Sequence, residues 1–386
     1  MNQHNRVCAE IDLDAISYNM EQMKNRIGAG ARLIAVVKTD GYGHGAVPIA
    51  RMFEQVPYVW GYAVACLEEA AALRDSGIRK PILVLGCVFP DQYEEMVRRE
   101  VRPAVYTEEM AEGMSQEAVR QNRTVYFHIK IDTGMGRIGF PVKEESVSAV
   151  ERISRLPHVC LEGMFTHFAK ADEKDKTYTQ IQHERFLWMK DQMEKRKIPI
   201  RYFDCDNSAG IIDFPDMKHD LARAGISTYG MYPSDEVKKE AISLRPALSL
   251  ISHVTYVKDV EPGTPISYGG TFVAPEKMRV ATIPVGYGDG YPRSLSNQGE
   301  VLIHGKRARI LGRVCMDQFM VDVTHIPETA FMDPVILVGK DGEDQITVEE
   351  LSRLSGRFNY EFVCCLGKRI PRVYRREGKL LEETAL

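Results

Sequence analysis

The sequence predicts an α/β protein with an N-terminal TIM-like (β/α)8 barrel followed by a mostly β C-terminal domain. In the first part, short apolar runs alternate with amphipathic helical stretches, whereas from about Leu248 the runs become strand-like and are punctuated by Gly and Pro. We therefore predict a barrel domain over residues 1–245 and a β-rich domain over residues 246–386. A chain of 386 residues is long enough for both.

Eight apolar runs of strand length occur in the first part. They are residues 33–37, 60–64, 82–85, 102–105, 125–131, 160–165, 201–204 and 221–223. The helical stretches are residues 14–26, 67–75, 90–99, 108–119, 144–155 and 180–195. Eight strands with intervening helices favour a closed parallel barrel, although an open doubly wound sheet would give a similar alternation.

The second part is predicted to be mainly β. Its strand-like runs are residues 248–257, 279–284, 301–303, 309–323 and 335–338. One helix interrupts the series over residues 347–354, with Thr347 as its N-cap.

Composition and charge exclude several classes of protein. With 50 basic and 54 acidic residues and no basic block, the chain does not resemble a nucleic-acid binder. The polar N-terminus lacks a signal peptide core, and no run of about 18 apolar residues predicts a membrane span. The eight cysteines lie mostly among apolar residues without a C-x-x-C pair, so we expect reduced core residues, no metal site and a cytoplasmic location.

A lysine followed by three glycines stands at the end of the first strand run. Residues 35–45 read A-V-V-K-T-D-G-Y-G-H-G. Lys38 is either an exposed lysine that merely ends a strand, or a Schiff-base lysine whose partly desolvated amine reacts with an aldehyde such as pyridoxal phosphate. The glycines let backbone approach an anion, and Tyr42 adds a hydroxyl, so the loop is a candidate phosphate site.

Polar residues alternate along the fifth strand run. His128, Lys130 and Asp132 share one strand face, which in a barrel can point into the mouth. The glycine-rich turn after this strand ends in Arg137, whose guanidinium is shaped to hold a carboxylate in two parallel hydrogen bonds. The alternative is a solvated loop arginine.

Further candidates lie beyond later strand runs. The aromatic neighbours of His167 favour a structural histidine, whereas its position at a strand end favours a working residue. Ser208 is suited to donate its hydroxyl to an anion or to cap a short helix, and the two roles are compatible. On residue type alone, Tyr268 would be a packing or surface residue.

The stretch around Lys38 resembles the pyridoxal-phosphate lysine motif of the alanine racemase family. Other segments agree with it: V-Y-F-H-I-K-I-D-T-G-M-G-R-I-G-F at residues 125–140, N-Y-E at 359–361 and R-I-P-R-V-Y at 369–374. The resemblance runs from about Cys8 to Tyr374. Thr39 and Gly41 stand where alanines are common in the family.

The resemblance implies that the cofactor is pyridoxal 5'-phosphate. It assigns cofactor binding to Lys38, Tyr42, His167, Ser208, Arg223, Gly225, Ile226 and Tyr360. Arg223 would donate to the pyridine nitrogen. Because a guanidinium stays protonated, that nitrogen would remain without a proton, which favours simple proton exchange over transamination or decarboxylation.

The resemblance also implies how a racemase would use two subunits. Racemisation needs an acid or base on each face of the α-carbon. Lys38 would serve one face and Tyr268 of the partner subunit the other, which makes a homodimer necessary. The substrate carboxylate would be bound by Arg137 and the backbone N–H of Met316. Supporting roles fall to Lys130 (as a carbamate that fixes Arg137), to Asp317 and, in the entry channel, to Tyr287.

These assignments predict an alanine racemase that interconverts L- and D-alanine and supplies D-alanine for peptidoglycan. Lys38 would remove the proton from the D-enantiomer and Tyr268 from the L-enantiomer, while Tyr360 would crowd the substrate side chain and favour a methyl group. One alternative is a serine or broad-specificity racemase of the same fold. Another is a non-catalytic pyridoxal-phosphate carrier, although single-barrel carriers lack the β domain that contains Tyr268.

Overall fold

The computed structural model describes residues 6–217 and 219–384, which form two compact units. One unit comprises Ala15–Gly41 and Gly45–Arg245. The other takes in the chain up to Asp14, the short segment Tyr42–His44 and the chain from Pro246 onward.

The first unit is built on a closed parallel barrel. In chain order the strands up to residue 245 are β1 (Val7–Asp12), β2 (Arg32–Val36), β3 (Val59–Val64), β4 (Ile82–Val84), β5 (Arg102–Val105), β6 (Val125–Asp132), β7 (Phe140–Pro141), β8 (Val159–Phe165), β9 (Tyr202–Asp204) and β10 (Leu221–Ala224). Eight of them, all except β1 and β7, form the barrel through parallel pairs, and the contact between β5 and β6 closes the ring. The predicted barrel is confirmed, because strands buried on both faces read as continuous apolar runs.

Helices follow the barrel strands. They are α1 (Leu13–Arg26), α2 (Lys38–Tyr42), α3 (Ala46–Phe53), α4 (Leu67–Asp75), α5 (Tyr93–Arg98), α6 (Glu108–Arg120), α7 (Glu144–Ile153), α8 (Thr177–Lys195) and α9 (Ser208–Asp213). Side-chain caps set two of the helix starts: Thr107 accepts the amide of Met110 at α6, and Asn207 accepts that of Gly210 at α9. The sequence had suggested Ser208 as the cap of α9, which is wrong by one residue.

The second unit contains a large β-sheet. Its further strands are β11 (Leu248–His253), β12 (Tyr256–Val260), β13 (Pro265–Ile266), β14 (Phe272–Val273), β15 (Met278–Ile283), β16 (Glu300–Ile303), β17 (Lys306–Leu311), β18 (Phe319–Asp322), β19 (Pro334–Asp341), β20 (Asp344–Ile346), β21 (Arg372–Arg376) and β22 (Lys379–Thr384). The N-terminal strand β1 joins this sheet, antiparallel to β11 and parallel to β21. Two helices complete it: α10 (Val348–Ser355), which the predicted cap Thr347 begins, and α11 (Asn359–Cys364).

Two predicted strands of the second unit are each divided. Residues 248–257 form β11 and the start of β12, which are separated by Val254 and Thr255. Residues 309–323 contain the end of β17 and all of β18, with an irregular loop between them that begins at Gly312, where φ is +74°. Val254 and Thr255 are residue types common in strands, so the first break was hidden, whereas Gly312 was a signal for the second break that the prediction passed over. The cysteine prediction also fails in part, because Cys87 and Cys365 are exposed.

Candidate active site

The barrel gathers the predicted site residues of its unit at the C-terminal ends of the strands. Lys38 comes two residues after β2, Arg137 follows β6, His167 follows β8, Ser208 follows β9, and Arg223 lies in β10. In a parallel barrel all these strand ends face the same side, and this is the side where barrel enzymes place their reacting groups.

Lys38 begins a turn of left-handed backbone. Thr39, Asp40, Gly41 and Tyr42 have φ values of 54°, 50°, 62° and 54°. Residues other than glycine are strained in this conformation, and a β-branched residue such as Thr39 is strained more than most. The carboxylate of Glu69, on α4, accepts the amides of Thr39 at 2.5 Å and of Ala65 at 2.7 Å. This acceptor holds the backbone next to Lys38.

Lys130 is buried inside the barrel. Its Nζ donates to the carbonyl of Ile131 at 2.7 Å and lies 5.5 Å from the centre of the Phe165 ring. Burial, assisted by the charges of Arg223 and Arg137, lowers the pKa of Lys130 to about 7. A substantial fraction of this amine is therefore neutral near pH 7, which is the form that reacts with carbon dioxide.

A buried ion pair holds Arg223. Its Nη1 donates to Asp204 Oδ2, and its Nη2 donates to the carbonyls of Thr166 at 2.7 Å and Cys205 at 3.1 Å. The same Nη2 lies 3.3 Å from Nδ1 of His167. Burial, together with the charges of Arg223, Arg137, Lys130 and Lys38, lowers the pKa of His167 well below its usual value, so this imidazole is neutral.

Ser208 links the ends of β9 and β10. Its buried Oγ accepts the amides of Gly225 at 3.0 Å and Ser227 at 3.3 Å. A hydroxyl that accepts two amides still has its own proton to donate, so Ser208 is suited to bind an anion. In this structure the Gly225 amide is directed at Ser208, and Ile226 begins the helical turn that follows.

The barrel mouth carries an excess of positive charge. Lys38, Lys130, Arg137 and Arg223 all lie close enough to His167 to depress its pKa electrostatically. The carboxylate paired with Arg223 balances only one of these charges. A dianionic phosphate and a substrate carboxylate fit this surplus, so the residues present suit pyridoxal phosphate.

In the second unit, three predicted residues line one cavity. Tyr268, Met316 and Asp317 surround a space of about 640 Å³, together with Ser267, Gly269, Cys315, Gln318 and Met320. Tyr268 is 71% exposed and Met316 is 53% exposed. The tyrosine is therefore held up at the surface of its unit.

The backbone before Tyr268 is constrained. Ser267 has φ 64° and ψ −176°, a region that residues other than glycine rarely adopt. Its Oγ donates to the carbonyl of Arg313 at 2.6 Å and lies 3.4 Å from the sulfur of Cys315. These contacts join the turn that bears Tyr268 to the loop that bears Met316.

Tyr287 and Asp317 belong to the same loop region. The amide of Tyr287 donates to the carbonyl of Cys315 at 3.1 Å, and the amide of Gly288 donates to the carbonyl of Met316 at 2.8 Å. Asp317 accepts from Nη2 of Arg369 at 2.8 Å. Hydrogen bonds thus tie the predicted entry residue to the loop predicted to bind substrate.

Tyr42 and Tyr360 lie beside each other. Their ring centres are 6.0 Å apart, and Tyr360 stacks on Phe358 at 4.6 Å. The neighbouring Gly43 permits close packing, because a Cβ there would lie 2.2 Å from the carbonyl oxygen of Val363. Both tyrosines assigned to the cofactor phosphate therefore belong to one cluster.

Several residues of the barrel mouth were missed by sequence reasoning. Glu69 lies in a helix that looks merely amphipathic, and Gln182 is a buried amide on α8 that donates to Thr133 and to the carbonyl of His167. Asp204 and Asp206 were passed over, although a carboxylate at the end of a barrel strand is itself a signal.

The protein is a parallel barrel with a lysine at a strand end and a positively charged mouth. These features are typical of the class of barrel enzymes that act on small anionic ligands. Comparison with known proteins is more specific. Models of the alanine racemase N-terminal and C-terminal domains match residues 11–233 and 247–374. The chain therefore belongs to the alanine racemase family.

Similar proteins cover nearly the whole chain. The alanine racemase of Clostridium tetani is 45% identical over 376 residues, 97% of either chain. That of Desulforamulus reducens is 44% identical over 95% of this chain and 98% of its own. Among solved structures, alanine racemase of Clostridium difficile 630 has a TM-score of 0.94 at 38% identity and covers 98% of each chain. The Bacillus anthracis enzyme with bound L-Ala-P has a TM-score of 0.93 at 34% identity, over 100% of this chain and 98% of that chain.

Among the described residues, no helix combines the length and apolar character needed to cross a bilayer.

Proposed function

We propose that this protein is a cytoplasmic, homodimeric alanine racemase that interconverts L- and D-alanine with pyridoxal phosphate and supplies D-alanine for peptidoglycan. One observation carries the proposal: Lys38, Lys130, Arg137 and Arg223 converge electrostatically on His167 at the mouth of the barrel. That arrangement provides a reactive amine among cations that match a phosphate and a carboxylate. The names of the relatives supply the substrate.

The residues that the family resemblance assigns to pyridoxal phosphate would hold the cofactor. Lys38 would bond to its aldehyde carbon, Arg223 would donate to the ring nitrogen and His167 would lie against the ring. The phosphate would be held by Ser208, by the amides of Gly225 and Ile226, and by Tyr42 and Tyr360. When bound, the cofactor withdraws electrons from the α-carbon and so makes its hydrogen acidic.

Two bases would move the α-proton. Once the substrate amine has replaced it at the aldehyde carbon, Nζ of Lys38 would be a free amine and would take the proton from D-alanine. The phenol oxygen of Tyr268 of the partner subunit would take it from L-alanine, and each base would return a proton on its own face. The exposure of Tyr268 supports a role towards the partner subunit, and the strained Ser267 before it supports a fixed orientation.

The remaining residues would position substrate. Arg137 would bind the carboxylate in a bidentate manner, with Lys130 as a carbamate that fixes it. The neutral fraction of the Lys130 amine favours this modification. In the partner subunit, the backbone N–H of Met316 would meet the same carboxylate, with Asp317 supporting the loop and Tyr287 lining the entrance. Tyr360 would leave room for a methyl group only.

Chiral chromatography tests the activity. The purified protein with pyridoxal phosphate should convert L-alanine to a mixture of both enantiomers and should act much more slowly on L-serine run in parallel, whereas Lys38→Ala should be inactive on both. Equal rates on alanine and serine would move the assignment to a broad-specificity racemase. A cofactor-loaded protein that converts neither would indicate a carrier.

Subunit mixing tests the shared site. Co-expressed Lys38→Ala and Tyr268→Phe chains form heterodimers in which one site has both bases intact, so about a quarter of wild-type activity should return. If Tyr268 instead acts within its own subunit, neither site of the heterodimer is complete and no activity returns.

A further inference from the structure

We propose that Asp204 is a positioning residue for Arg223, and that its charge sets how strongly the guanidinium acts on the group it contacts. This inference rests on the proposed function for the identity of that group, the ring nitrogen of pyridoxal phosphate. The pairing of Asp204 with Arg223 stands on the barrel geometry alone.

The first step is the geometry of the pair. Both side chains are only 3% exposed. Asp204 ends β9 and Arg223 lies in the adjacent strand β10, so the ion pair bridges two neighbouring strand ends. Two carbonyls fix Nη2, at Thr166 and Cys205, while Asp204 fixes Nη1. These contacts on both terminal nitrogens determine the plane of the guanidinium.

The second step concerns charge. Asp204 Oδ1 is buried and has no hydrogen-bond partner among the described residues, so Arg223 is the main compensation for this carboxylate. A buried charge that loses its only partner is strongly unfavourable, which makes each group dependent on the other. The pair as a unit is close to neutral.

The third step is the second carboxyl group, Asp206. It is also buried, and its Oδ1 has no partner in the described part of the chain. Burial and the charge of Asp204 raise the pKa of Asp206 well above its usual value, a shift that favours the protonated form of this group. Burial raises the pKa of Asp204 to about 6, although the charge of Arg223 opposes this rise. Asp204 is therefore mostly ionised at neutral pH. The carboxylate that pairs with Arg223 is therefore that of Asp204.

The consequence is electrostatic. With Asp204 ionised, the ring nitrogen meets a neutral hydrogen-bonding pair and not a bare cation. Removing the carboxylate charge would leave the mouth more positive by one unit and disfavour protonation of nearby nitrogen atoms. The other titratable or charged groups around the pair are His128, Lys130, His167, Cys205, Asp206 and His219.

The experiment compares Asp204→Asn with Asp206→Asn. Both replace a buried carboxyl group near Arg223 by an amide of the same shape, but only the first removes the ion pair with Arg223. We expect the pH midpoint of the visible absorption of cofactor-loaded Asp204→Asn to fall by about one pH unit or more, with kcat reduced by about tenfold and KM for alanine little changed. Asp206→Asn should follow wild type. Equal midpoints for wild type and Asp204→Asn, or an equal shift in both variants, would overturn the proposal.

A double-mutant cycle covers the case in which Asp204→Asn folds poorly. The variant Arg223→Gln with Asp204→Asn has no buried charge at this position, so it should unfold at a higher temperature than Asp204→Asn and titrate like Arg223→Gln alone. Additive losses in the two single variants would contradict the pairing. This unfolding comparison needs no cofactor, so it tests the pairing of Asp204 with Arg223 independently of the proposed function. If the wild-type protein neither binds pyridoxal phosphate nor racemises alanine, the proposed function fails, and the unfolding data still decide whether the two residues are paired.

Discussion

The left-handed turn after Lys38 gives the sharpest test of how the structure holds the amine that we propose bonds pyridoxal phosphate. Three of its four left-handed residues are not glycine, namely Thr39, Asp40 and Tyr42. At about 1–2 kcal/mol each, this backbone costs roughly 3–6 kcal/mol. The two amides that Glu69 accepts, worth about 1.5–3 kcal/mol each because the acceptor is charged, offset a comparable amount.

The substitution Glu69→Gln removes the charge and leaves one acceptor oxygen in place of two. We expect it to lower the free energy of unfolding by about 2 kcal/mol and to raise the dissociation constant of pyridoxal phosphate by about tenfold, because the turn that positions Lys38 opens more often. Denaturant unfolding and equilibrium dialysis of the cofactor measure the two effects.

Glu68→Gln is the matched control. Glu68 is the neighbouring residue of the same helix, but it is exposed and its bond from Gln92 spans 3.3 Å at the surface. Its replacement should change stability by less than about 0.5 kcal/mol. If Glu69→Gln behaves like Glu68→Gln in both assays, Glu69 does not hold the turn and the argument from strain is wrong.

Three further predictions concern the barrel interior. In carbon dioxide-free buffer the pKa of Lys130 is about 7 in the folded protein and higher in the unfolded chain, so unfolding takes up a proton between these pH values. The free energy of unfolding should therefore rise with pH in this range. Denaturant titrations should show that Lys130→Met lowers this slope by about 1.4 kcal/mol per pH unit. Gln182 donates two bonds of 3.2 Å to loops that follow barrel strands, so Gln182→Leu should lower the unfolding free energy by about 2–3 kcal/mol and raise KM for alanine. Gly163→Ala would place a Cβ 2.5 Å from Nδ1 of His128 and should cost about 1–3 kcal/mol by thermal unfolding.

Controls separate these effects from general damage. Lys190→Met removes a partly exposed lysine and is the control for Lys130→Met. Glu184→Gln alters an exposed position of the same helix as Gln182 and is the control for Gln182→Leu. Gly30→Ala adds a Cβ where no atom lies within 4 Å. Equal effects in a variant and its control would contradict the corresponding prediction.

The barrel was predictable because its strands are buried on both faces and its helices are not. Each run of apolar residues therefore coincides with a strand to within a few residues, and Lys38 was recognised at a strand end. The second unit was less predictable. Apart from the parallel pair of β1 and β21, its strands are antiparallel, and short turns such as residues 254–255 carry no Gly or Pro to mark them.

Contacts distant in sequence were beyond local patterns. Strand β1 pairs with β11 and β21, which are separated from it by more than two hundred residues, and no local pattern specifies such partners. The ion pair of Asp204 with Arg223 and the clamp by Glu69 likewise depend on neighbours that only the closed barrel brings together. The left-handed turn was hidden because Thr39 and Tyr42 are residue types that rarely adopt it.

The exchange of the α-hydrogen for solvent deuterium tests the two-base account most directly. Incubated in deuterated water, the Tyr268→Phe variant should exchange the α-hydrogen of D-alanine through Lys38 without inversion, and should leave L-alanine almost unlabelled, whereas wild type should label both. Mass spectrometry after chiral separation measures each enantiomer. Labelling of L-alanine by Tyr268→Phe at the wild-type rate would contradict the assignment of Tyr268 as the base for that enantiomer.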